Sequence, residues 1–228
     1  MGHMRSYPDT SAVLRGYPGF GRLFAPDIGL GLTPMLLTVR RKVGLLAAMA
    51  LLAAPLAAWA LWKPIRALAP ELAGVKCFTG DVCTDDPSKM SEALLLRQEA
   101  MQFVQQKAGG FKATPRMIFC STPQCEKTFG FTSNAAYSVG SSALVVSARG
   151  WQPYYIRHEL IHCVQVERIG GFQMLLRTPT WLIEGMAYSM SEDPRRPLRE
   201  PFEGYRAQYE AWANQVSSET LWQRAAEL

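Results

Sequence analysis

The chain is predicted to fold as an α+β protein, a small twisted sheet packed on a helical half, preceded by one transmembrane helix. Three observations lead there. Val43–Trp62 is a run of twenty residues without a charge. Short β-branched segments, RMIFC and SALVVSA, occupy the middle of the chain. The second half carries helical stretches punctuated by proline and glycine. Hydrophobic residues make up 48% and charged residues 19%, which excludes a disordered polymer. The net charge of +5 is spread along the chain with no aromatic-interleaved basic stripe, so nucleic-acid binding is not expected.

Taken from the N-terminus, residues 1–42 show no sustained periodicity up to the basic cluster Arg40-Arg41-Lys42 and read as a disordered, cytoplasmic segment. At 1.5 Å per residue the apolar run 43–62 spans about 30 Å, the hydrocarbon thickness of a bilayer. Pro55 is tolerated inside such a helix, and Trp59 and Trp62 suit the interface at its end. Arg40–Lys42 outweigh Lys63 and Arg66, which favours a cytoplasmic N-terminus and an exported remainder in the periplasm or extracellular space. The competing reading is a signal segment cleaved near Ala60, at the small-x-small site Ala58-Trp59-Ala60. Export follows from both.

Residues 63–87 read as a connector, and 88–228 as the folded domain. Five cysteines suit an oxidising compartment. Four of them allow three connectivities; the local pairs Cys77–Cys83 and Cys120–Cys125 are the simplest, leaving Cys163 as a small buried hydrophobe. A helix over 88–108, capped by Ser88, carries Ala93, Leu94, Ala100, Met101, Val104 and Ala108 at helical spacing and stops at Gly109-Gly110. RMIFC (116–120) and SALVVSA (142–148) are strands, with turns and short irregular strands between them. Pro153 opens a helix that runs to Ile169 and stops at Gly170-Gly171. Thr178-Pro179 opens another through Ser191, and a last helix covers 203–226.

The helix opened by Pro153 carries His158-Glu159-Leu160-Ile161-His162. Histidines four apart on a helix share a face, so both imidazoles reach one metal ion. Glu159 borders that face, where a carboxylate serves as a base towards a metal-activated water rather than as a ligand. A third ligand is needed, and the only other histidine is His3, beyond the apolar run. A carboxylate is then required. Glu184 lies 22 residues after His162, on the next helix, among Trp181, Leu182, Ile183 and Met186, where an apolar setting demands a partner for it.

HELIH followed by WLIEGMA resembles the gluzincin superfamily of zinc metallopeptidases over roughly residues 140–192. The resemblance implies one Zn2+ held by His158, His162 and Glu184, with Glu159 as general base, acting on a protein or peptide substrate. It also implies an edge strand ahead of the first helix that pairs with extended substrate, a place that Ser142–Ala148 fits. Gluzincins supply a Tyr or His to stabilise the oxyanion. With no histidine left, Tyr188, Tyr205 and Tyr209 are the candidates, with Arg195 and Arg196 behind them, and Tyr188 could instead orient Glu184. The alternatives are a non-catalytic, zinc-stabilised binding or chaperone module, and a zinc hydrolase of a cell-wall bond. The sequence indicates no oligomeric state.

Overall fold

A computed structural model describes residues 33–79 and 81–228. The expectations for 1–32, His3 included, lie outside the described residues. The apolar run is helical: α1 covers Thr33–Leu61, starting ahead of the hydrophobic stretch, with Pro55 inside it. Its segment Val39–Leu61 is long and apolar enough to cross a membrane, with a mean hydropathy of 2.0. Leu45, Leu46, Leu51 and Leu52 on it are all exposed.

Ala50–Leu228 forms one compact unit. It is a mixed α+β body with five strands and a helical majority. The strands are β1 (Lys76–Thr79), β2 (Val82–Thr84), β3 (Arg116–Phe119), β4 (Ala136–Val139) and β5 (Ala143–Val146), in the order β1-β2-β3-β5-β4. Between and after them come α2 (Met90–Ala108), α3 (Pro123–Phe129), α4 (Pro153–Ile169), α5 (Gly171–Leu176), α6 (Thr180–Met190), α7 (Phe202–Ala213) and α8 (Leu221–Ala226).

Alternation along the strands divides the core in two. Met117 and Phe119 of β3 and Leu144 and Val146 of β5 face the cluster containing α2, α4 and α6 residues. Ile118, Ala143 and Val145 face the opposite side, where Ala67, Cys125 and Phe129 cover the sheet. β5 is therefore buried on both faces and lies between β3, parallel to it, and β4, antiparallel. This corrects the expectation that 142–148 is the edge strand. A continuous apolar run is the mark of an interior strand. The edge is β4.

Four further expectations change. The supposed connector 63–87 supplies two short 3-10 turns and the strands β1 and β2. Its prolines sit at the starts of the turns, and its strands are too short to show a period. Ser88 does not cap α2, which starts at Met90; Asp86 caps the 3-10 turn Pro87–Lys89 that leads into it, its carboxylate accepting the Ser88 amide at 3.0 Å. The last helix is interrupted between Ala213 and Leu221, where Asn214-Gln215-Val216-Ser217-Ser218 favours turns. The segment between the two predicted strands holds the α3 helix, capped by Thr122. Both local disulfides, Cys77–Cys83 and Cys120–Cys125, are present, and Cys163 is free and buried. Burial also holds its thiol well above the usual range.

Candidate active site

α4 begins at Pro153 as expected, and its last carbonyls meet Gly170, whose φ of 99° ends the helix. Between these limits His158 and His162 project one turn apart. Their Nε2 atoms are 3.1 Å apart and their rings meet edge-on. Glu184 enters from α6. Its Oε2 lies 3.6 Å from His158 Nε2 and its Oε1 3.7 Å from His162 Nε2. Three donors on a tetrahedral ion at 2.0–2.1 Å stand roughly 3.3 Å from one another. The trio fits that geometry, and it could hold one metal ion.

Glu184 reaches this point because Gly185 follows it. A Cβ at Gly185 would overlap the Tyr205 carbonyl of α7 and stand 2.8 Å from Tyr209 Cβ. The glycine lets α7 press against α6, which seats Glu184 over α4. Burial by itself would raise the Glu184 carboxyl; the hydrogen bond with His158 and the charges of both histidines outweigh it and hold the group below its ordinary value.

His162 is oriented by a residue that the motif does not include. Its Nδ1 is 2.7 Å from Gln165 Oε1, and Gln165 Nε2 donates to the Ile183 carbonyl at 2.9 Å. The amide oxygen accepts, so Nδ1 carries the proton and Nε2 keeps its lone pair for a metal. Gln165 is fully buried and joins α4 and α6, the two helices that carry the trio, through one side chain. Its spacing of three from His162 is a usable signal, since i and i+3 share a helix face.

Neither family models nor curated proteins nor solved structures match this chain. The geometry alone carries the functional reading.

Glu159 sits beside the trio, with the hydroxyl and backbone amide of Ser138 on β4 turned towards its carboxylate. Burial pushes this carboxyl above its ordinary value; His162 and Ser138 oppose the shift and Glu184 reinforces it. His158, His162, Glu184 and Glu159 all open into a cleft of about 670 Å³ that is also lined by residues of β4 and of the segment 195–202.

Among the oxyanion candidates, Tyr188 lines the cleft, and its ring packs edge-on against His158 with centroids 4.4 Å apart. Burial, with help from Glu184, pushes its phenol up to about 12. Tyr205 is not among the lining residues; its carbonyl meets Gly185 and its ring packs on Phe202. Tyr209 is buried in the core. Arg195 reaches the cleft, whereas Arg196 points to Glu210, 3.9 Å away. Arg195 is fixed by the buried Asp193, with Nε 2.9 Å from Oδ1, and it donates to the Tyr155 hydroxyl at 3.1 Å. Sequence periodicity held no sign of Ser138 or of the Asp193–Arg195–Tyr155 set, because they meet from separate segments.

Proposed function

We propose that the protein is an exported, membrane-anchored zinc metallopeptidase. The observation that carries this reading is the convergence of His158, His162 and Glu184 beside Glu159 in a cleft bordered by the edge strand β4. Two imidazoles and a carboxylate are a donor set suited to zinc. When bound there, zinc would polarise the substrate carbonyl and lower the pKa of water at the site.

The chain's own residues supply the rest. An edge strand has free backbone groups, so β4 can pair with an extended peptide and lay its scissile carbonyl over the trio. Glu159, held by Ser138 and raised by burial, takes the proton of the attacking water and delivers it to the leaving amine. Tyr188 stays protonated at neutral pH and donates a hydrogen bond to the developing oxyanion. Gln165 keeps His162 in the tautomer that presents Nε2.

Retention of α1 as an anchor is supported by its C-terminal end. Ala58-Trp59-Ala60 lies inside the helix, where the Trp59 carbonyl accepts from Arg66 Nε at 3.2 Å and the Ala58 carbonyl from the Trp62 amide at 2.9 Å. A cleavage site occupied in this way is not extended.

Glu159→Gln tests the reading. Hydrolysis of a peptide library should fall by about a thousandfold while bound zinc is unchanged. A variant that cleaves as fast as the wild type removes Glu159 from the role of base.

A further inference from the structure

We propose that the cleft selects polypeptides with acidic side chains flanking the scissile bond. This inference rests on the hydrolase reading of the same site and names its substrate class.

Three arginines line the cleft, Arg149, Arg195 and Arg199. Its only lining carboxylates among the described residues are Glu159 and Glu184, and both are committed to the chemistry at the base. They come from two separate parts of the chain, Arg149 after β5 and Arg195 and Arg199 after α6. Gly150 packs so closely on the Ala135 carbonyl that a Cβ there would overlap it, so neighbouring Arg149 belongs to the end of the cleft where β4 begins. Arg195 is fully engaged by Asp193 and Tyr155, and its planar group also lies over the Tyr155 ring, 4.7 Å from the centroid. Asp193 meets most of its charge, so the uncompensated positive charge of the lining is that of Arg149 and Arg199. Arg149 and Arg199 are exposed, and among the described residues no carboxylate pairs with either.

A peptide paired with β4 turns alternate side chains to opposite sides. Side chains pointing to the 195–202 wall meet guanidinium groups, and so does the segment lying past Ala135. Carboxylates match these forks in a planar, two-toothed fashion, whereas lysine or arginine side chains meet like charge. A free α-amine finds no uncommitted carboxylate in the cleft, which points to internal bonds rather than to the N-terminal one.

The test is binding of fluorescein-labelled peptides of equal length (glutamate-rich, lysine-rich and uncharged) to the full-length, zinc-loaded Glu159→Gln protein in a neutral detergent, read by anisotropy. The glutamate-rich peptide should bind about tenfold more tightly than the uncharged one, with the lysine-rich one weakest. Added salt should erode the difference. Arg149→Ala combined with Arg199→Ala should remove it without loss of bound zinc. Equal binding of the three peptides, an unchanged preference in the double variant, or tighter binding of polyphosphate than of any peptide would each overturn the proposal. Cleavage assays separate the two readings. A wild-type protein that prefers the acidic peptide yet hydrolyses none keeps this inference and loses the hydrolase. One that cleaves all three equally does the reverse.

Discussion

The two walls of the cleft are built differently. The wall made by α4 and α6 is assembled from neighbouring helices and is held from behind by buried groups. Gln165 ties His162 to the Ile183 carbonyl, and Gly185 lets α7 brace α6. Arg157, beside His158, pairs with Glu99 of α2 and lies over the Phe103 ring, 3.8 Å from its centroid. The rest of the lining, from β4 and the segment 195–202, gathers residues from distant parts of the chain, and its arginines reach solvent. In the proposed function, the chemistry that needs fixed distances falls to the braced wall, and recognition, which tolerates side-chain freedom, falls to the other.

Substitutions can break or sharpen this contrast. The largest effect is expected at Gly185. Gly185→Val drives side-chain atoms into the Tyr205 backbone, and denaturant unfolding should show a loss of about 3 kcal/mol, with weaker zinc binding alongside. A wild-type midpoint would mean that α7 does not brace the metal wall. Tyr188→Phe removes only a hydroxyl. It should reduce kcat about a hundredfold and leave KM and zinc content near wild type; an unchanged kcat would assign the residue to packing against His158 alone. Gln165→Leu should weaken zinc binding by about tenfold in a competition with a chromogenic chelator. The same variant loses the Gln165 bond to the Ile183 carbonyl, which costs about 1 kcal/mol of stability. On the recognition wall, Arg199→Ala should change stability by less than about 0.5 kcal/mol, as exposed substitutions usually do. Thermal unfolding checks this, and a larger loss would mean that this wall is structural too.

The same division governs what the sequence discloses. His158, Glu159 and His162 are legible because one helix, bounded by Pro153 and Gly170, fixes their spacing. Glu184 is legible because it is a carboxylate on an apolar helix. Gln165 could have been found on the same helical grid. The sheet is harder to read. β5 has the β-branched composition that marks a strand, but composition does not say whether a strand is interior or at the edge. β4, Ala-Tyr-Ser-Val between turn residues, resembles a loop although it borders the cleft. The arginines obey no period at all, since pairing of β4 with β5 and the course of 195–202 bring them together.

Metal content reads the proposed three-ligand site without an intermediate step. Full-length protein, reconstituted with zinc and freed of excess, is measured by mass spectrometry beside Glu184→Ala. The wild type should hold about one zinc per chain and the variant clearly less. No zinc in either sample, or an equal load in both, would contradict it.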